Sequence, residues 1–191
     1  MKRTRRQAAA GAPIGLVAFL GNPGSTYAAT RHNVGWQLAD LIAPPDSGYW
    51  KTKFHGTFGK HDGTILLKPT TFMNHSGRSV QAALSFFGVD PVSLLVVHDD
   101  LETAFGTVQL ASNGGHRGHN GIRSVSDQLA TSDYWRLRIG IGRPPAARRV
   151  ADWVLERFSK EEEAELPAIL TIAHQMFESG IVRPEEARTV R

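Results

Sequence analysis

Leu16-Val17-Ala18-Phe19-Leu20-Gly21-Asn22-Pro23-Gly24, followed closely by Arg31-His32-Asn33, decides how this chain folds. The first five residues are apolar throughout, as in a strand covered on both faces by helices. A Gly-Asn-Pro-Gly turn closes the strand. Asn22 therefore stands at its carboxyl end, where ligands bind in open α/β sheets. A carboxamide and an imidazole delivered together at that point suggest a hydrolytic site.

Working outward, helical and strand periodicities alternate without repeats or low-complexity linkers. Gly35 to Ile42 reads as a helix ending near Pro44-Pro45. Phe54 to Gly59 and Thr64 to Lys68, joined around Asp62-Gly63, read as a hairpin. Ser76 to Phe87 places Val80, Ala83, Leu84 and Phe87 at helical spacing, with Gly88 as its stop. Ser93 to His98 is a second buried strand whose end delivers Asp99 and Asp100. Asn120 to Ala130 reads as a helix, and Tyr134 to Ile141 as a strand. Ser159-Lys160-Glu161-Glu162 is a capping box opening a helix that Pro167 bends or restarts and Gly180 ends. Strands alternating with helices predict a single α/β domain, and the hairpin makes its sheet mixed.

Composition narrows the chemistry. The chain has 191 residues, 41% of them apolar, enough for one substantial core. The absence of cysteine excludes disulfides, thiolate metal sites and a cysteine nucleophile. No apolar run approaches the ~20 residues of a membrane span. Lys2, Arg3, Arg5 and Arg6 account for the whole net charge of +4, so any polyanion must meet a local patch rather than a global field. Residues 1–13 read as a basic, disordered tail, 14–180 as the catalytic domain and 181–191 as a C-terminal tail. The amino terminus mimics a signal peptide, but Gly11-Ala12-Pro13 interrupts its apolar run.

Asn22, Asn33, Asn74 and Asn120 all fall at or near element boundaries beside Gly, Pro or His. Asparagine is a common turn and cap former, so each alone is unremarkable in that place. Together with Asp99 at another strand end, they point to a polar pocket.

Six segments carry a family resemblance: Leu20 to Gly24 with Tyr27, Thr30-Arg31-His32-Asn33-Val34-Gly35, Lys68 to Asn74, His98-Asp99-Asp100-Leu101, Gly118-His119-Asn120-Gly121 and Arg138 to Gly142. In order and spacing, the chain resembles bacterial-type peptidyl-tRNA hydrolase. The resemblance implies a single-domain α/β fold with a mixed sheet flanked by helices. It implies hydrolysis of the ester joining a peptide to the 3′-terminal ribose of tRNA, by a cytoplasmic monomer. It further implies no metal or other cofactor, peptidyl-tRNA as partner, no membrane association and no obligate protein partner.

The residues fit that chemistry on physical grounds. Ester hydrolysis near neutral pH needs a base for water, and the ordinary pKa of His32 suits it. A carboxylate on one ring nitrogen would fix the other as base. The resemblance gives that role to Asp99, while the residues alone leave Asp100 as the alternative. Asn22 can donate to the developing oxyanion. Neutral Asn74 and Asn120 can pair with peptide groups but offer nothing to a buried free ammonium, which would favour N-blocked substrates. Tyr27 and Phe72, by resemblance, lie along the tRNA acceptor end, where an aromatic face can stack on a terminal base; ordinary packing is the alternative.

The chain departs from the family pattern in places. Phe19 occupies a usual glycine position, so packing behind the Asn22 turn is expected to differ. Ala111 stands where some members carry a phosphate-binding lysine. Arg117, in a slot that is often glycine, could restore that charge, and Arg138 matches a basic position of the phosphate clamp. Three other functions compete. A non-catalytic RNA-binding homologue need not keep Asn22, His32 and Asp99 together. A dinucleotide oxidoreductase is disfavoured because Pro23 removes an N–H from the would-be phosphate loop. A metallohydrolase using His116, His119, Asp99 and Asp100 lacks a strong zinc spacing.

Overall fold

The computed structural model describes residues 13–182 and 188–190. The expected basic tail lies, apart from Pro13, outside the described residues, as does the charged start of the stretch that mimics a signal peptide; the apolar end of that stretch contains β1. Strands β1 (Leu16–Phe19), β2 (Lys51–Lys53), β3 (Gly56–His61), β4 (Thr64–Pro69), β5 (Leu94–Asp100), β6 (Val108–Ser112), β7 (Trp135–Gly140) and β8 (Arg188–Val190) form one sheet, in the order β2-β3-β4-β1-β5-β7-β6-β8. The centre, β4-β1-β5-β7, is parallel, and β3 and β6 flank it antiparallel. The sheet is therefore mixed.

Alternation along the central strands builds two cores. Leu16 and Ala18 of β1 face a cluster with Val80, Ala83 and Leu84 of α2 (Ser76–Phe87) and Ile122 and Val125 of α3 (Asn120–Leu129). Val17 and Phe19 face the opposite cluster, with Val34 and Leu38 of α1 (Val34–Ile42), Val154 of α4 (Val150–Leu155) and Phe177 of α5 (Lys160–Val182). Burial on both faces is why β1 is apolar without interruption. Phe19 is wholly buried and meets the Phe177 ring at 6.0 Å, so the bulk placed in the usual glycine slot anchors α5 behind the Asn22 turn.

Several expectations need correction. The hairpin arm begins at Gly56 rather than Phe54, because Phe54 and His55 adopt left-handed φ values of 59° and 52° and form the turn from β2. β2 has three exposed residues and β6 only a short alternation, which hid both from a reading by apolar pattern. α4 is six residues long and went unforeseen for the same reason. β5 extends through Asp100, so Asp99 and Asp100 lie within the strand rather than after it. Of the expected C-terminal tail, Arg188–Val190 adds an edge strand against β6.

The C-terminal helix runs through Pro167 and past Gly180 to Val182. An interior proline costs roughly 3 kcal/mol. Burial of Ile169, Ala173, Met176 and Phe177 against the sheet outweighs that, at about 1.5–3 kcal/mol for each large apolar side chain. A lone glycine costs only about 1 kcal/mol, too little to stop the helix at Gly180.

One close approach sets the position of α1. A Cβ on Gly35 would lie 2.7 Å from the Leu20 carbonyl oxygen, just beyond β1, and 2.9 Å from that of Val97, in the middle of β5. Gly35→Ala should therefore destabilise the protein by about 1–3 kcal/mol through overpacking. Urea denaturation checks this: an unchanged midpoint would contradict the packing.

Candidate active site

The carboxyl ends of the parallel strands gather the polar residues. Asp99, on β5 and 2% exposed, accepts at Oδ1 from His32 Nδ1 at 2.8 Å and from His119 Nε2 at 2.9 Å. His32 sits in a 3-10 turn, Arg31–Asn33, that leads into α1. His119 is the N-cap of α3: its Nδ1 accepts from the backbone N–H of Gly121 at 3.1 Å and of Ile122 at 3.2 Å. An imidazole thus does the work usually given to a Ser, Thr, Asp or Asn oxygen. Its proton must then lie on Nε2, facing Asp99. The His32 proton must lie on Nδ1, which leaves Nε2 with a lone pair toward the cleft.

The electrostatics follow from this arrangement. Burial works against the imidazolium of His32, but the charge of Asp99 and its hydrogen bond prevail and raise the pKa above the ordinary value. Burial also opposes ionisation of Asp99, yet His32 and His119 hold its carboxyl far below the usual carboxylate range. His98 donates from Nδ1 to the Asp99 carbonyl at 2.6 Å. Burial, then the neighbouring His119, depress the His98 pKa well below normal, so it stays neutral. The three imidazoles stand in a row, His32 to His119 and His119 to His98 each 4.9 Å between ring centres.

Asp100 points elsewhere. It accepts from the Glu102 N–H at 3.1 Å and the Thr103 hydroxyl at 3.0 Å, with Arg138 Nε at 3.8 Å and Arg117 Nη1 at 3.9 Å. Of the two carboxylates left open by the sequence, the one in contact with His32 is Asp99. Arg138 also donates to Gln109 Oε1 at 3.0 Å. Ala111 lies on neighbouring β6, so Arg117 and Arg138 converge near the slot where the lysine is missing.

Asn22 is held through its neighbours. Its N–H donates to Asn33 Oδ1 and its carbonyl accepts from Asn33 Nδ2, both at 2.9 Å, which ties it to the residue after His32. Its Oδ1 accepts from the Met73 N–H at 2.8 Å. The amide is thereby oriented with Nδ2 left as the donor. Asn74 follows Met73 and is exposed, 3.4 Å from His75 Nε2. Asn120 accepts from Arg123 at 3.0 Å. Tyr27 and Phe72 meet edge to face at 6.5 Å, and Phe72 is 56% exposed, which departs from ordinary core packing.

A cleft of about 270 Å³ brings together His32, Asp99, Asn120, Arg117 and Arg138, with Val150, Ala151 and Val154 of α4 as a wall. Asn22, Tyr27, Phe72 and Asn74 do not line it. Among the described residues, the one group with metal-ligand proximity is His32, Asp99 and His119, which includes neither His116 nor Asp100. Its chemistry is unsuited to a cation. A metal on His119 Nε2 would need the proton on Nδ1, where two backbone N–H groups already donate.

Residues 16–189 match the family model described as peptidyl-tRNA hydrolase. The chain belongs to that family. It is 48% identical to the peptidyl-tRNA hydrolase of Mycobacteroides abscessus over 162 residues, covering 81% of this chain and 82% of that one. Against the Wolinella succinogenes protein of the same name it is 49% identical over 153 residues, covering 79% and 78%. A crystal structure of peptidyl-tRNA hydrolase from Acinetobacter baumannii superposes with a TM-score of 0.74 at 35% identity, covering 88% of this chain and 92% of that one.

Within the peptidyl-tRNA hydrolase frame, two contributors escape the sequence. His119 figures there in a family segment and as a metal-ligand alternative, with no role in holding Asp99, although its place just before a helix signals a cap. Asn33 was noted as a boundary residue but not as the partner that fixes Asn22.

The opposed effects on His32 give a titration test. In the wild type the imidazole should titrate above its ordinary 6.5, because Asp99 outweighs burial. In Asp99→Asn the burial remains and the charge is gone, so the pKa should fall below 6.5. NMR titration of His32 in both proteins measures this; an unchanged pKa would show that Asp99 does not govern the imidazole.

Proposed function

We propose that this hydrolase cleaves the ester between a peptide and the 3′-terminal ribose of tRNA, with water activated by His32. The observation that carries the reading is the 2.8 Å contact from His32 Nδ1 to Asp99 Oδ1. Nε2 draws a proton from water as its oxygen attacks the ester carbonyl. Asp99 stabilises the imidazolium that forms. Asn22 Nδ2 donates to the oxyanion of the tetrahedral intermediate. When the carbon–oxygen bond to the ribose breaks, the imidazolium returns its proton to the departing ribose oxygen, giving a reusable tRNA and a peptide carboxylic acid that loses its proton to solvent. No step calls for a cofactor.

Asn74 and Asn120 supply neutral polar contacts to the peptide backbone, so an N-blocked ester is accepted while a free aminoacyl ester, with its ammonium, is not. Tyr27 and Phe72 offer exposed aromatic surface to a terminal base. Arg117 and Arg138 meet phosphates of the tRNA body. Asp100, near both arginines, keeps their mutual repulsion from opening the pair. Among the described residues no helix is long and apolar enough to cross a membrane. The cytoplasm, where peptidyl-tRNA is made, is the expected location.

The decisive assay incubates the purified protein with N-acetyl-aminoacyl-tRNA and its unblocked counterpart. Release from the first alone is expected. On the blocked substrate, His32→Ala and Asp99→Asn should each lower kcat by at least ~10² to 10⁴-fold, while Asp100→Asn spares it. Loss of kcat in Asp100→Asn with activity kept in Asp99→Asn would reverse the two roles.

Arg117 is half exposed and in left-handed backbone at φ 47°, at the same cleft as His32 but paired with Asp100 rather than with the imidazole. A phosphate contact there contributes binding shared by ground and transition states. Arg117→Gly should raise KM, spare kcat and flatten the slope of log affinity against log salt by about 0.7 to 0.9. KM measured at two salt concentrations tests this, and identical slopes would remove Arg117 from the tRNA contact.

A further inference from the structure

Arg31 immediately precedes His32 in the same 3-10 turn, yet its side chain leaves on the side of α4 and α5. That side chain is only 3% exposed. Its guanidinium lies 3.6 Å from the centre of the Trp153 ring on α4 and 5.3 Å from that of Phe158. Nη1 donates to the Arg157 carbonyl at 2.6 Å, and Nη2 to Glu162 Oε2 at 2.6 Å. The backbone joins in, with Arg31 N–H to the Glu156 carbonyl at 3.0 Å and a bridge between Thr30 and Arg157. The fork, the stack and the ion pair engage one planar cation, a combination a lysine cannot reproduce.

Glu162 serves two masters. Its Oε2 accepts from the Ser159 N–H at 2.7 Å, while its own N–H donates to Ser159 Oγ at 3.2 Å, which completes the capping box of α5. The same oxygen receives Arg31. Trp153, under the guanidinium, donates to the Gly142 carbonyl at 3.0 Å just beyond β7. Val150, Ala151 and Val154 on the same short helix wall the cleft that holds His32. A helix of six residues has little stability of its own, so its position depends on such fastenings.

We propose that Arg31 is a positioning residue: it binds the cap of α5 and the Trp153 face of α4 to the turn that carries His32, and so fixes both the base and the cleft wall relative to the substrate carbonyl. The backbone bonds already close the connection from α4 to α5. What the guanidinium adds is direction, at the cost of burying a charge, and a buried ion pair contributes specificity more readily than net stability. The inference rests on His32 being the base. It assigns Arg31 no contact with substrate.

Arg31→Lys is the discriminating variant because it keeps the charge and loses the fork and the stack. The charged groups facing Arg31 are Glu162, Glu156, Arg148 and Arg157. Asp99 and His119 touch the His32 ring, and His98, Asp100, His116, Arg117, Arg136 and Arg138 share its cleft. None of these changes in the variant. A misplacement of about 1 Å can cost on the order of 10²-fold. We therefore expect kcat on N-acetyl-aminoacyl-tRNA to fall roughly 10- to 100-fold, with KM within about twofold because the tRNA contacts lie elsewhere. The acid limb of the pH profile should move down as His32 loses its alignment with Asp99. Glu162→Gln, which keeps a capping-box acceptor but not the charge, should lower kcat in the same direction by a smaller factor.

A folded Arg31→Lys with wild-type kcat and an unmoved acid limb overturns the proposal, as does a lowered melting temperature with both parameters intact. If Arg31→Lys does not fold, Glu162→Gln decides, and wild-type kcat there overturns it equally. His32→Ala measured alongside separates the two claims. An active His32→Ala refutes the base, whereas an inactive one beside a fully active Arg31→Lys refutes the clamp alone.

Discussion

One carboxylate oxygen, Asp99 Oδ1, buried at the carboxyl end of β5, accepts from two imidazoles that arrive from different directions. An ionised carboxylate in that place is tolerable only if its partners are held firmly, since burial by itself opposes the charge. His32 is held by a turn locked to α1, whose Gly35 lets the helix touch the end of β1 and the middle of β5. His119 is held by capping α3. The two sheet faces, each with its own core, are what bring the α1 and α3 sides to the same oxygen. Fold and chemistry therefore meet at a single atom.

The two histidines are chemically distinct because their remaining nitrogens have different surroundings. His119 Nδ1 is consumed by two backbone N–H groups, so its ring serves as a fixed donor that shares the load on Asp99. His32 lines the cleft, and its Nδ1 being taken by Asp99 leaves Nε2 as the nitrogen available to accept a proton. One carboxylate with two equal imidazoles would leave the base undefined. The helix cap breaks that symmetry. Asn22 follows a similar logic: Met73 takes its oxygen and Asn33 its backbone, which leaves the amide hydrogens to donate.

Much of this was legible in the chain. The uninterrupted apolar run of β1 and the Gly-Asn-Pro-Gly turn gave the layered fold and the end of the sheet that carries polar groups. His32, Asp99 and Asn22 were readable as chemical types at strand ends and as members of a family pattern. The choice of Asp99 over Asp100 came from the family pattern alone, because both lie inside β5 and, without that pattern, only the packed sheet shows which one meets the imidazole. The path of α5 through Pro167 was not legible, since the local penalty is visible in the sequence while the buried stripe that offsets it is tertiary. Short pieces such as α4 and β2 leave too few residues for periodicity to register, yet α4 walls the cleft. Arg31 reads as one more cation until Trp153 and Glu162 are seen around it.

The central claim is that Asp99 holds His32 with its proton on Nδ1 while the cap of α3 holds His119 with its proton on Nε2. Long-range proton–nitrogen correlation NMR on the ¹⁵N-labelled protein, above the His32 titration, reads both tautomers directly. The account predicts opposite tautomers on the two rings. His32 found with its proton on Nε2, or as an even mixture, would leave no lone pair fixed toward the cleft and would contradict it.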